Sequence, residues 1–369
     1  MAYDSVAAFI SPHGFGHAAR CVATLQALRA IRPSARFEIF TGVPRWFFED
    51  SLEPPFGYHE VVVDVGMVQK TALKENTDAT VTALDRFLPF QDDNLEALAR
   101  ALDTLGTKAV VADISPLGLA AAEAAGLPSL LLSNFTWDWI YAGYSDDTPE
   151  LKRFIKPLQK LFDTATVRLE TEPCCEPTDD AVRIGPISRS PKENIATTRT
   201  RLGIADDAPM VLLTMGGIEF RYRFLDRLRE NEDLTFVVPG GAKQPERRGN
   251  LRLLPHHSEH YHPDLVYAAD VVVGKLGYST VAEVAQAGGR MAYVERDGFP
   301  ESPILAEFVE SRLPCVRIAA DTFTKAAWVE DLPELLALER PAVPKQNGAV
   351  AAAEKLNELL DPVSPKSDD

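Results

Sequence analysis

The stretch DVVVGKLGYSTVAEVAQAGG, residues 270–289, contains a complete strand–turn–helix unit. Residues 271–273 are a β-branched run of strand length, Gly274 and Gly277 open a turn, and residues 281–287 follow a helical pattern. A strand that passes through a glycine turn straight into a helix is the building unit of a parallel α/β sheet. The start of such a helix attracts anions, because its first amides have no partner inside the helix. Lys275 adds a positive charge there, and Gly277, Ser279 and Thr280 add amides and hydroxyls. The outline is that of a diphosphate site. Glu283, one turn further on, is placed to accept hydrogen bonds from ribose hydroxyls. Thr280 and Glu283 also read as a capping box, which would commit the same two residues to backbone donors.

Outward from this unit the same grammar repeats. Strand-like runs at 210–214, 234–238, 251–254 and 291–294 alternate with helical patterns, one of them over 219–231. The first half shows strands at 5–10, 36–41, 58–64, 109–112 and 129–132, with helices over 18–31, 80–105 and 117–125. Strands alternating with helices predict parallel sheets covered on both faces. The polar stretch from Gly185 to about Thr200, broken by Pro186 and Pro191, reads as a linker. The fold class expected is therefore α/β, with two Rossmann-like doubly wound domains, 1–190 and 191–348. A helix over 349–361 and a disordered tail over 362–369 follow. Ligands of open α/β sheets bind beyond the carboxyl ends of the strands, so two such sheets place a site in the cleft between them.

Composition narrows the partners. The 369 residues carry a formal net charge of -16, which argues against nucleic acid as a partner. A small anionic ligand remains compatible, since local helix starts and a few cations can outweigh the global charge. The four cysteines have no metal spacing and read as reduced thiols, which points to a cytoplasmic protein. No secretory leader is expected at the N-terminus, and the most apolar window, 109–133, contains Asp113 and Glu123. Integral membrane association is not expected.

The first strand-to-helix loop reads SPHGFGHAAR, residues 11–20. Gly14 and Gly16 allow a tight turn and close approach of a ligand, and His13 lies beside them. His17 would open the following helix, where the dipole disfavours imidazolium and keeps the ring a proton acceptor. That suits a general base; a helix-capping role is the other reading. Asp113, at the end of a strand in the same half, could fix the tautomer of His17. It could equally cap the helix that Pro116 begins. Gly216 and Gly217, after the strand 210–214, offer amides to phosphate oxygens or simply make a turn. The HHSEHYH segment, 256–262, reads as a polar loop at a strand end, with no convincing metal set. Trp46, Phe47 and Phe48 read as core.

Taken together, HGFGHAAR, DVGMVQ (64–69), SNFTWDWIY (133–141) and GKLGYSTVAE (274–283) resemble the GT-B-type N-terminal region of the L-arabinokinases and their stand-alone relatives. No kinase-type glycine loop follows, so sugar-kinase activity is not expected. More distantly the chain is similar to UDP-dependent glycosyltransferases. That resemblance implies His17 as base and Asp113 as its orienting carboxylate. It implies a donor site on Lys275, Gly277, Ser279, Thr280 and Glu283. Lys275 replaces the usual histidine, and the acidic–Gln pair that holds the donor sugar becomes Glu301–Ser302, shifted by one residue. The usual tryptophan platform for the base is missing, leaving the backbone near Leu254 and Pro255. Asn134, Trp137, Asp138 and Gln69 are expected on the acceptor side.

The expected function is transfer of a sugar from a nucleotide-sugar donor, UDP-linked by resemblance, to a hydroxyl acceptor by direct displacement. Amides near Gly216 and Gly277, with Lys275, would carry the leaving diphosphate, and neither metal nor other cofactor is expected. The rivals are a nucleotide-sugar epimerase, a phosphorylase and a non-catalytic nucleotide-sugar-binding module.

Overall fold

The computed structural model of the chain describes residues 4–71, 74–217, 220–295 and 298–361. The tail expected over 362–369 lies outside the described residues. The first half supplies β1 (Ser5–Ile10), β2 (Arg36–Thr41), β3 (Phe56–Glu60), the short antiparallel pair β4 (Gln69–Thr71) and β5 (Lys74–Glu75), and then β6 (Thr107–Asp113), β7 (Ser129–Ser133), β8 (Val167–Thr171) and β9 (Val182–Ile184). The second supplies β10 (Met210–Thr214), β11 (Thr235–Pro239), β12 (Glu246–Arg248), β13 (Leu251–Leu254), β14 (Val271–Lys275), β15 (Met291–Val294) and β16 (Cys315–Ile318). They build two seven-stranded sheets, β3-β2-β1-β6-β7-β8-β9 and β12-β13-β11-β10-β14-β15-β16. Neighbouring strands run parallel throughout except at β12, which pairs antiparallel to β13.

Both faces of the central strands are buried, which explains why β1, β7 and β10 read as continuous apolar runs. In β1 the side chains of Val6, Ala8 and Ile10 join one core, under the helix Gly16–Ile31. Ala7 and Phe9 point the other way, toward the helices Asp92–Thr104 and Pro116–Ala125.

The strand order creates a switch point in each sheet. From β1 the chain builds β2 and β3 on one side, then returns to place β6 on the other. From β10 it builds β11 and β13, then returns to place β14. At such points the loops leaving two adjacent strands diverge and open a crevice at their carboxyl ends. The loops after β1 and β10, the end of β6 and the turn after β14 therefore surround the two crevices.

Several boundaries differ from expectation for identifiable reasons. The single helix expected over 80–105 is two, Thr77–Phe87 and Asp92–Thr104. Pro89 cannot donate to a helix, and Leu88 before it is extended, φ -120° and ψ 147°. The strand expected to reach Asp64 ends at Glu60. The helix expected over 219–231 is limited to Leu225–Arg229, and residue 219 lies outside the described residues. The expected linker contains a helix, Ile195–Leu202, capped by the Asn194 side chain. The last helix, Gly348–Leu360, packs on the first half of the chain, where Ala349, Ala352, Ala353 and Leu356 complete the core beside the helix Gly16–Ile31.

One glycine of the opening stretch is required by packing. A Cβ at Gly274 would stand 1.9 Å from the Thr214 carbonyl oxygen of the neighbouring β10. Neither backbone can retreat without breaking the ladder. Gly274→Ala is expected to destabilise the fold by roughly 2 kcal/mol or more, as overpacking does. Urea unfolding measures this, and a loss below about 0.5 kcal/mol, within the range of neutral surface changes, would refute the tight β10–β14 contact.

Candidate active site between the two sheets

The two switch points face each other across a cavity of about 1210 Å³. One wall carries the loop after β1 and the other the turns after β10 and β14. The loops nearly touch: a Cβ on Gly217 would lie 2.7 Å from the Phe15 ring, and one on Gly16 would lie 3.7 Å from Ser279 Oγ. The helices Gly16–Ile31 and Tyr278–Gln286 thus begin side by side, and neither has a side chain capping its first amides. Two uncapped helix starts in one cleft concentrate positive potential.

Basic side chains also collect there. Six of the seven histidines line the cleft (His13, His17, His256, His257, His260 and His262), with Arg20, Arg189, Lys243 and Lys275. The acidic residues lining it are Asp50, Glu283 and Glu301. A chain of net charge -16 has gathered basic groups in this cavity.

On the first wall, His17 opens the helix after β1, and Asp113 ends the adjacent β6. Strand register sets Ile10 opposite Asp113. His17 Nδ1 lies 2.8 Å from Asp113 Oδ1. Asp113 is fully buried behind His17, which is 8% exposed and lines the cleft. Burial is the largest influence on His17 and pulls it below the ordinary imidazole value, despite the opposing pull of Asp113. With Nδ1–H donated to Asp113, the neutral ring keeps its Nε2 lone pair as the proton acceptor.

Arg20, one helical turn after His17, was not singled out by sequence reasoning. It is 1% exposed. Its Nε donates to Asp113 Oδ2 at 2.7 Å, its Nη2 to Oδ1 at 2.6 Å, and its Nη1 to Asn134 Oδ1 at 2.5 Å. Burial pushes the Asp113 carboxyl up, but the Arg20 guanidinium and His17 together outweigh it and hold the carboxyl below its usual range. The spacing His17-x-x-Arg20 was the available signal, since residues three apart share a helix face.

Asn134 and Gln69 line the cleft as expected, and Gln69 Nε2 lies 3.4 Å from His13 Nε2. Trp137 and Asp138 do not; they are a correction to the acceptor wall. The helix Trp137–Tyr144 turns its first residues inward, and Trp137 is fully buried. Its Nε1–H donates to Asp64 Oδ2 at 3.0 Å, and its ring meets His13 edge-on at 5.3 Å. Burial raises Asp64 to about 7. This pair backs the wall that His13 forms.

On the second wall, Gly216, Gly217, Lys275, Gly277, Ser279, Thr280, Glu283 and Glu301 all line the cleft. The helix begins at Tyr278 with Gly277 at its cap position, so Thr280 stands inside the helix and the capping box does not form. Glu283 is 1% exposed and already partnered: Arg189 Nε donates to its Oε1 at 2.9 Å, and His262 Nδ1 lies 3.3 Å from its Oε2. Burial would raise Glu283, but Arg189 and His262 bring it below the usual value. His262 Nε2 also meets Thr214 Oγ1 at 3.2 Å, and Thr214 Oγ1 accepts the Gly216 N–H at 3.3 Å. A polar chain thus links the Gly216 turn to Glu283. Arg189 and His262 were missed because one lies in the expected linker and the other in the expected polar loop.

At the far end of the cleft, aromatics of the first half meet the histidine loop. Trp46 stacks on His257 at 4.2 Å, Asp50 Oδ2 lies 3.2 Å from His257 Nε2, and Phe15 meets His256 at 5.8 Å. Phe47 and Phe48 are core, as expected, but Trp46 is only partly buried and faces this loop. Among the described residues no group of His, Cys, Asp and Glu is arranged to hold a metal ion, and no helix is long and apolar enough to cross a membrane.

No family model matches the chain. It is 27% identical over 358 residues to the L-arabinokinase of Arabidopsis thaliana, covering 95% of this chain and 34% of that protein. The chain thus spans about a third of that relative's length. It is 23% identical over 331 residues to an uncharacterised glycosyltransferase of Methanopyrus kandleri, covering 79% of this chain and 93% of that one. Among solved structures it superposes on UGT89C1 of Arabidopsis thaliana with a TM-score of 0.62 at 14% identity, covering 97% of this chain and 100% of that one. The glycosyltransferase SnogD of Streptomyces nogalater gives a TM-score of 0.53 at 17% identity, covering 97% and 100%. The resemblance to the N-terminal region of L-arabinokinases holds, and the fold is that of the GT-B glycosyltransferases.

Proposed function

We propose that the protein transfers a sugar from a nucleotide diphosphate donor to a hydroxyl acceptor bound in the interdomain cleft. The observation that carries this reading is the pairing of His17 and Asp113 at one switch point with the Gly216 turn, Lys275 and an uncapped helix start at the other. One wall can take a proton, and the other can receive developing negative charge. In the reaction, His17 Nε2 takes the acceptor hydroxyl proton as the oxygen attacks the anomeric carbon. The bond from that carbon to the diphosphate oxygen breaks, and the electron pair leaves on the diphosphate. Amides near Gly216 and Gly277, with Lys275, stabilise it where charge develops. UDP is the proposed nucleotide, supported by the fold neighbour UGT89C1, solved with UDP and with UDP-L-rhamnose.

Thermal unfolding in the presence of UDP-, GDP-, ADP- and dTDP-sugars tests the donor site. A ligand at about 100 times its Kd adds roughly 2.7 kcal/mol. Stabilisation by one nucleotide class, lost in Lys275→Ala, is the expected result. Failure of every nucleotide sugar to stabilise the protein would overturn the reading. Conversion of the bound donor without any acceptor would instead show an epimerase.

A further inference from the structure

We infer that Arg20 is a positioning residue that takes over the charge of Asp113, so that His17 works as a weak, neutral base, and that ties this pair to the helix of the donor wall. The inference rests on the proposed role of His17. The geometry is that of a fork closed on one carboxylate, with Nε on one oxygen and Nη2 on the other. Both oxygens of Asp113 are thus engaged by Arg20, and His17 shares Oδ1 with Nη2. The third guanidinium nitrogen is fixed by Asn134, whose backbone carbonyl also accepts the Cys175 N–H at 2.6 Å. The Arg20 Cζ stands 5.3 Å from the centre of the Tyr278 ring. Tyr278 is the first residue of the helix that carries Ser279, Thr280 and Glu283. Its hydroxyl donates to the Glu172 carbonyl at 2.5 Å and meets the Thr171 hydroxyl, at the end of β8 in the opposite sheet. Arg20 therefore sits where the base, the acceptor wall and the donor helix meet.

The electrostatic consequence follows from counting charge. A histidine paired with a lone carboxylate becomes a neutral pair when it is protonated, which favours imidazolium. Here Arg20 already neutralises Asp113, so protonating His17 leaves a net positive charge in a buried group. The groups facing this cluster are Asp113 from β6, Arg20 and Cys21 from its own helix, Asp64 from the segment after β3, Tyr278 from the donor helix and Cys175 from the segment after β8. Cys21, Cys175 and Tyr278 are all held up in their neutral forms by burial. Asp64, raised to about 7, is the one of these that titrates near neutrality, so Asp64→Asn is the required control background.

The test is the titration of His17 by NMR of the histidine-labelled full chain, with its signal assigned by its loss in His17→Gln. No substrate is needed, so the result does not depend on the glycosyltransferase reading. Arg20→Met is expected to raise the His17 midpoint by about one pH unit, a tenfold gain in proton affinity. Arg20→Lys keeps the charge without the fork and is expected to give a smaller rise. It decides the matter if Arg20→Met does not fold. A midpoint that moves in neither folded variant overturns the inference. Once a donor is known, the acidic limb of the kcat/KM profile is expected to move by the same amount. A lower kcat with an unmoved limb would show that Arg20 is structural only, and overturns it too. A shifted titration in a protein that turns over no nucleotide sugar would uphold Arg20 and refute the transfer reading.

Discussion

His17→Gln is expected to lower the rate of sugar transfer by about 10²- to 10⁴-fold, the range that general-base catalysis supplies, and to leave donor affinity within about threefold. His17 stands on the wall opposite Lys275 and the Gly216 turn, with Asp113 behind it. Its loss therefore removes the proton acceptor and leaves the diphosphate contacts in place. Calorimetry with the donor, beside steady-state rates, separates the two quantities. An equal loss in both would mean that His17 shapes the donor wall and is not the base. The pH dependence has a defined sign. Burial holds His17 below the ordinary imidazole value of 6.5, so the neutral base persists through neutral pH. Turnover is expected to fall only as pH drops through that depressed value.

The same shift enters stability. The unfolded chain binds the His17 proton better than the folded one does, so folding stability from this group is complete above about 6.5, the unfolded value. It is lost as pH falls from there toward the depressed folded value. His17→Gln removes this contribution to the slope. If the substitution is neutral at pH 8, the urea midpoints of the variant and the natural protein are expected to coincide there and to diverge toward pH 5, with the natural protein losing stability relative to the variant.

How much of this was legible in the sequence depends on how local each signal is. The central strands of the two sheets are apolar on both faces, so their runs stand out, and glycine turns after β1, β10 and β14 mark the cleft. His17, Gly216, Lys275 and Gly277 follow from that rule alone. Asp113 needed one further step, the adjacency of β1 and β6. Arg20 and Arg189 carry no such mark. Each finds its carboxylate more than ninety residues away in the chain, and only the switch-point topology brings the partners together. Arg20 reads locally as one more cation on a helix, and Arg189 as part of a proline-broken connection. Trp137 shows the opposite failure. The strand-end rule placed it in the cleft, but the helix after β7 turns inward, and its indole donates to the buried Asp64.

The ion pair between Arg189 and Glu283 carries the second large expected effect. Both side chains are buried, at 5% and 1% exposure. Removing one partner of a buried pair strands the other charge, which costs roughly 3–5 kcal/mol. Arg189→Met is expected to lose about that much at pH 7, by urea unfolding. Arg189→Met combined with Glu283→Gln is expected to recover most of it, because no buried charge remains and the bond from His262 can persist. In the natural protein Glu283 is held below its usual range, so its contribution is present above the unfolded carboxylate value and is lost as pH falls through the folded one. In Arg189→Met burial is no longer outweighed, and the sign reverses: the deficit is expected to shrink on acidification. A deficit that is constant with pH would mean that Arg189 matters for its packing on Phe47 and Tyr261, over whose rings it lies at 4.9 and 5.3 Å. The double variant also decides what Glu283 does for a ligand. A tenfold or larger loss of nucleotide affinity in this refolded background would place Glu283 on the ribose. Unchanged affinity would assign it wholly to holding Arg189 and His262, and would move donor recognition onto Lys275 and the two helix starts.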